Sequence, residues 1–498
     1  MLDVIWLSVD PEIPARSYWD QTLLSELLKD CNHWEVSEIP NYVTEAIVII
    51  PGAYQGKHIH KINQELSKLY KCKVIITSDE ENNFPIDELL GDVEVYATYY
   101  NPKYKREIKW LPLGPAKIDY QDYVEKDLDW FFAGQVNHKS RRELVSELEN
   151  ITGGLLIKTD GFAQGLPQDE YLSLMNRAKS VPAPRGNISP DSFRFYEALE
   201  HGAIPIPEDR RYWTHLFDMP VPSVGNWEEI ALEIHQAQDI KERNKVFAWW
   251  QREKFNIKTD LIGRDDITVV IPVSPIKSHP STEIIDETIK SIRYQLPNAP
   301  IIVTFDGVRD ESKHRDPDYQ EFIARFLLKY NNQNIYPVIF KEHTHQVGMM
   351  REVLKDCSEY IIYVEQDTPF TEDYIDWQGC KESIGKKVNL IRFHFEAFIP
   401  EPHEYLMMGE MKATPVPLIR TKQYSQRPHI TTRQFYEKIL SNFSDNAKSF
   451  IEDKMHSVAQ QFPNEYRLAI YNPEGSMKRS YHTDGRAGED KLDETQVF

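Results

Sequence analysis

Short runs with apolar cores that recur between amphipathic stretches constrain this chain most. VIWLSV, AIVIIPG and KVIITSDE come first, DLDWFFAG and AIPI follow, and ITVVIPVSP, APIIVTFDG, NIYPVIF and YIIYVEQD close the series. They are too short for globular helices and rich in Val and Ile, as strands buried on both faces are. Helical patterns such as KHIHKINQELSKLYK, KSRRELVSELEN and STEIIDETIKSIRYQL lie between them. Such alternation predicts an α/β protein with mostly parallel sheets covered by helices.

A chain of 498 residues has room for roughly three units of ~150 residues. The runs divide into segments 1–122, 123–258 and 266–498, and NIKTDLIGRDD reads as the linker before the third. The polar tail AGEDKLDETQVF is expected to be partly disordered. A net charge of -20 opposes general nucleic-acid coating, although Lys103, Lys105, Arg106 and Lys109 leave a local basic groove open. Cys31, Cys72, Cys357 and Cys380 are scattered without a Cys-x-x-Cys, so reduced thiols and no zinc site are expected. The start, MLDVIWLSVDPE, lacks a basic n-region, and no run of ~18 apolar residues occurs. A cytoplasmic chain without signal peptide or transmembrane segment is the expectation.

The strand YIIYV stops on Glu365-Gln366-Asp367. Carboxylates at i and i+2 leave a strand on one side. Mg2+ or Mn2+ uses one or two such carboxylates and completes its shell with phosphate oxygens and water. Ligands of open α/β sheets collect beyond the carboxyl ends of strands. Pro272-Val273-Ser274, Asp306-Gly307, Gly348, Arg351 and Asp367 all fall at or after such ends. His343 and His345 read as loop histidines beside that pocket.

VVIPVSP, FDG at Asp306, GMMREVL at Arg351 and EQD together resemble family 2 glycosyltransferases of the GT-A fold, over segment 266–498. The family has Asp-x-Asp where this chain has Glu365-Gln366-Asp367. The resemblance implies that Asp306 binds the base or ribose of a UDP- or GDP-sugar donor, and that Gly348 and Arg351 help hold the nucleotide. It implies Glu365 and Asp367 at a Mn2+ or Mg2+ ion, completed by His482 of SYHTDGR. It also implies a catalytic base in Glu452-Asp453 of SFIEDKMHS, with Asp453 the candidate.

In the second segment a Pro/Gly/Asn/Ser loop leads into a helix with an N-cap at Asp191 or Ser192, a natural anion seat. Ser192-Phe-Arg194-Phe-Tyr-Glu197-Ala-Leu-Glu-His-Gly202-Ala-Ile-Pro205-Ile resembles the donor-binding lobe of exostosin-like GT-B glycosyltransferases. WFFAGQVNHKSRRELVSEL resembles that lobe's opening. The implied donor contacts are Gly134, Arg141, Arg142, Ser192, Arg194 and Glu197. Asp10, Glu80 and Glu81 are the acids open for a base in the first lobe.

The expectation is therefore a GT-B-like pair of Rossmann-like lobes followed by a GT-A-type domain with a single mixed or parallel sheet. Its function would be bifunctional sugar transfer from nucleotide-sugar donors to a glycan or other hydroxyl acceptor, the C-terminal module being metal-dependent and inverting. Two rivals stay open: glycosylation of hydroxylated bases in viral DNA, and a sugar- or nucleotide-binding scaffold with an inactive module.

Overall fold

The computed structural model describes residues 2–119, 122–159, 161, 164–186, 188–209 and 219–483. The polar tail lies outside them. The chain forms two compact units, Met1–Gly263 with Leu327–Asn332, and Arg264–Phe326 with Gln333–Phe498.

The first unit holds two sheets. Strands β1 (Asp3–Leu7), β2 (Asn32–Val36), β3 (Glu45–Pro51), β4 (Lys71–Thr77), β5 (Glu94–Ala97) and β6 (Lys109–Trp110) pair in the order β2-β1-β3-β4-β5-β6, all parallel. Strands β7 (Leu128–Gln135), β8 (Leu155–Thr159), β9 (Ala178–Ala183) and β10 (Ile204–Pro207) make a second parallel sheet, β10-β9-β7-β8. The central strands are apolar because both faces are covered; Ile47 to Ile50 of β3 are all buried. One core of the unit joins Trp6, Leu23 and Tyr96 from the first segment to Phe195, Tyr196 and Trp250 from the second.

Residues 256–262, read as linker, are helical. They finish the 23-residue helix Ile240–Ile262, whose N-cap Asp239 accepts from Lys241 N–H. This helix carries a buried cation: Lys254 Nζ donates to both Glu200 oxygens at 2.7 and 2.9 Å, and Trp250 Nε1 donates to Glu200 at 2.8 Å. These bonds hold Glu200 below the usual carboxylate range despite its burial, which alone would raise it.

The second unit has one mixed sheet of nine strands: β11 (Ile267–Val273), β12 (Ile301–Phe305), β13 (Ile335–Ile339), β14 (Tyr360–Tyr363), β15 (Leu390–Arg392), β16 (Met407–Glu410), β17 (Leu418–Thr421), β18 (His429–Thr432) and β19 (Leu468–Tyr471). Their order is β13-β12-β11-β14-β18-β15-β19-β17-β16. The first four are parallel and alternate with helices, as the apolar runs predict. β18 then runs antiparallel between β14 and β15, so the N-terminal end of β18 meets the carboxyl ends of both. That edge gathers residues far apart in sequence.

Breaking a buried ion pair leaves one charge stranded, at a cost of about 3–5 kcal/mol, whereas replacing both partners is often neutral. Lys254→Met is expected to destabilise the chain by that order in urea unfolding. Adding Glu200→Leu is expected to restore most of the loss. Equal stability of Lys254→Met and wild type would contradict this reading of the pair.

Candidate active site

A cleft opens in the second unit beyond the carboxyl ends of β11, β12 and β14. Pro272 to Ile276, Asp306, Arg309, His343, Gln346 and Glu365 to Asp367 are among its walls. Asp306 anchors it. The Asp306 carboxylate accepts from Thr344 N–H at 2.7 Å, His345 N–H at 3.0 Å and its neighbour Gly307 N–H at 2.9 Å, and His343 Nδ1 lies 2.8 Å from it. Asp306 lines the cleft with these groups gathered on its carboxylate. Asp306 ties the end of β12 to the loop before the helix His345–Val353. The approach is close: a Cβ on Gly307 would stand 2.2 Å from the Glu342 carbonyl carbon.

This tie has two consequences. His345 opens its helix at φ +64°, a left-handed conformation that is strained for histidine and that the bond from its N–H to Asp306 helps to hold. His343, with Nδ1 donating to Asp306, presents Nε2 as an acceptor, and Arg309 Nε donates to it at 3.2 Å. Arg309 is itself part of the cleft lining. His343 lies beside the cleft, as the sequence predicts, but no motif marks Arg309; the end of β12 meeting the loop 342–346 brings the two together.

The opposite wall is acidic. Gln346, one residue into the helix, donates through Nε2 to Glu365 Oε1 at 3.0 Å. Burial and then the Asp367 charge push Glu365 well above the usual carboxylate range, against the pull of Arg427. His482 Nδ1 lies 3.9 Å from Asp367 Oδ2, and its Nε2 meets Arg427. Among the described residues no group of three or more His, Cys, Asp or Glu is pre-arranged around a metal. Two crowded carboxylates are the donor type that Mg2+ and Mn2+ take, and a divalent cation there would relieve the crowding of Glu365 and Asp367.

Glu452 and Asp453 begin the helix Ile451–Gln461. Glu452 Oε2 accepts from Gln426 N–H at 2.7 Å, while Asp453 is exposed and close enough to His345 to act on its charge. Arg351 does not reach the cleft. Its guanidinium donates to the carbonyls of Leu440, Phe443, Ser444 and Asp445 at 2.6–3.0 Å, closing the C-terminal end of the helix Arg433–Leu440. Gly348 lies within the helix His345–Val353 and is not part of the cleft wall.

In the first unit Ser192 is the N-cap of the helix Phe193–Glu200, but its Oγ caps nothing and is buried without a partner. Arg194 Nη2 donates to Ala133 O at 2.6 Å and its guanidinium lies 4.7 Å over the Phe132 ring. Gly134 permits this, since a Cβ there would sit 2.7 Å from Arg194 Nη2. Arg141 donates to Arg185 O, and burial and the charge of Arg194 lower it to about 10. The Nε atoms of Arg141 and Arg194 are buried without partners. Glu197 is buried, accepts from Tyr171 OH at 3.2 Å and feels the charge of Arg194. Arg142 donates to Asn137 O at the surface. The acids of the first lobe have local work: Asp10 accepts from Glu12 N–H and pairs with His58, Glu80 accepts from Ile188 and Ser189 N–H, and Glu81 accepts from Asn83.

No family model matches the chain, and no curated protein matches it. Solved structures give faint likenesses. TarS of S. aureus is 15% identical with a TM-score of 0.30, over 44% of this chain and 37% of that one. The mannosyltransferase PcManGT from Pyrobaculum calidifontis, solved with GDP-Man and Mn2+, is 12% identical with a TM-score of 0.26, over 42% and 58%. A197 from STIV is 10% identical with a TM-score of 0.23, over 44% and 85%. The chain thus spans less than two thirds of TarS and of PcManGT, and likenesses this faint add nothing to the geometry.

Asp306→Asn turns one accepting oxygen into a donor and strands at least one buried N–H, at about 1–3 kcal/mol each. Unfolding in urea should show a loss of that order, and His343→Ala a smaller one; an Asp306→Asn chain as stable as wild type would contradict the anchoring role. Burial pushes Asp191 up to about 8, although Tyr196 OH donates to it at 3.2 Å. A carboxyl raised in the folded state above its unfolded value makes stability greatest below the unfolded value and lowers it as pH rises towards about 8. Asp191→Asn should therefore raise the melting temperature at pH 8 more than at pH 5; a gain that is the same at both would contradict it.

Proposed function

We propose that the C-terminal unit is a glycosyltransferase that takes a nucleotide-sugar donor, UDP- or GDP-linked, in this cleft and transfers the sugar to a glycan or other hydroxyl acceptor. The observation that supports it is a single cleft with an acidic wall, Glu365 and Asp367, facing a guanidinium, Arg309, held by the Asp306–His343 pair. A nucleoside diphosphate needs both: cationic donors for its oxygens and a carboxylate pair to hold its counter-ion. Asp367 and Glu365 would hold the divalent cation, with His482 beside them. Bound there, that cation would supply positive charge against the leaving diphosphate. Arg309, with Nε spent on His343, offers its two terminal nitrogens as a fork for phosphate oxygens.

Asp453 is the base in this reading. Glu452 has committed an oxygen to the Gln426 N–H, whereas Asp453 is open to take the acceptor hydroxyl's proton. One displacement with one base inverts the anomeric centre. For the first unit we propose a second, anion-binding donor site built on Arg141, Ser192 and Arg194. The buried, unpartnered Nε atoms and Ser192 Oγ favour it, and the chain would then be bifunctional.

Release of nucleoside diphosphate from a panel of UDP- and GDP-sugars, with Mn2+ or Mg2+, tests both sites. Asp367→Asn is expected to lower one activity on the order of 10²–10³-fold, as is chelation of the metal. Arg309→Gln should raise the donor KM, and Arg194→Ala should remove only the second activity. An Asp367→Asn chain with every activity intact would overturn the assignment.

A further inference from the structure

The polar face of the C-terminal sheet continues past the donor cleft. β15 ends on Arg392, and His394 follows two residues later on the same side of the chain. Phe393 between them faces the other way, into Phe370, Trp377 and Tyr471. Arg392 and His394 are each only 4% exposed. Arg392 donates through Nη2 to Gln423 at 3.1 Å, but its Nε and both ring nitrogens of His394 are buried without partners. Buried donors are normally satisfied by protein, water or ligand, so a cluster of unsatisfied ones calls for an explanation.

Strand register sets this cluster beside the acidic wall. His429 of β18 stands opposite both Tyr363 of β14 and Arg392 of β15, and Phe393 N–H donates to Pro428 O at 2.8 Å. Arg427, next in the chain, therefore lies between Arg392 and the Glu365–Asp367 end of β14. The charges of Glu365, Glu452 and Asp367 act on it, and its own charge acts on Arg392. Burial and then Arg392 hold His394 down to about 3, so its ring is neutral, with one donating and one accepting nitrogen. The chain then turns outward through Phe395, whose ring lies 4.0 Å under the Arg427 guanidinium, to Phe398, which is 71% exposed. A few buried polar groups beside a cation-stacked ring, Phe395, and an exposed one, Phe398, make a small-ligand surface.

We propose that this edge is the acceptor site, and that the acceptor is a sugar carrying an acidic group, phosphate or carboxylate, held by Arg392, His394 and Arg427 with the ring against Phe395 and Phe398. Two guanidinium groups and an unsatisfied N–H suit an oxyanion, which accepts and never donates. The proposal rests on the glycosyltransferase reading for the word acceptor, but the acid-binding site is testable apart from it.

Glucose 6-phosphate, glucuronate and glucose are titrated by calorimetry into the whole chain saturated with UDP and Mn2+. At least one acid is expected to bind about tenfold or more tighter than glucose, and which one identifies the acid. Arg392→Gln should remove that margin with UDP affinity unchanged, and Phe398→Ala should weaken the sugar as well as the acid. His394→Leu, which keeps the bulk, serves if Arg392→Gln does not fold, and should narrow the margin. No acid binding, acids no tighter than glucose, or acids indifferent to Arg392→Gln and His394→Leu would overturn the proposal. Displacement of the acids by a single-stranded oligonucleotide that binds tighter than either would overturn the sugar assignment in favour of nucleic acid. If UDP and Mn2+ do not bind, the donor reading falls, and the same titrations without them still decide the acid site.

Discussion

Three backbone N–H groups and the His343 ring meet on the Asp306 carboxylate, and the cleft is built around that meeting. The bonds to Thr344 and His345 close the loop that follows β13. They help hold His345 in a backbone conformation it would otherwise avoid. They start the helix that carries Gln346 to Glu365, and through His343 they aim Arg309. Both walls of the cleft therefore answer to one buried carboxylate. A group used this way acts as a scaffold, because each bond it gives away would leave a donor unsatisfied.

The second constraint is charge crowding at the end of β14. Burial, Asp367 and Glu452 all raise Glu365, and the three acids act together on Arg427. Such a cluster is poised: it gains from a divalent cation on one side, and Arg427 answers it on the other. The antiparallel insertion of β18 makes this possible, because it brings Arg427 and Arg392 to the edge where Glu365 and Asp367 emerge. An anion bound on the far side of Arg427 and a cation bound at Asp367 would then face each other across one guanidinium.

The parts of the fold built from apolar runs were legible in the sequence: β1, β3, β4, β7, β11, β12, β13 and β14 fall where Val- and Ile-rich stretches lie between helical patterns. The short strands β15 to β19 were not, since three or four residues carry no periodicity and their partners are remote. Polar residues 256–262 read as a linker because their helix is stabilised by what precedes it, including a buried lysine that looks like a surface residue in sequence. At the site, the pair Glu365–Asp367 was legible from i, i+2 geometry, and the structure brings His482 to it. Arg351 misled because an arginine after a glycine reads the same whether it holds a phosphate or four carbonyls. Arg309, Arg392 and His394 were silent, since each is placed by a strand end or loop distant in sequence.

The most direct test of the central claim is a crystal structure of the chain soaked with Mn2+ and a nucleoside diphosphate. The account predicts a cation against Asp367 and Glu365, with the diphosphate between it and the terminal nitrogens of Arg309. A diphosphate bound elsewhere in the C-terminal unit, with the Asp367 wall free of metal, would contradict it.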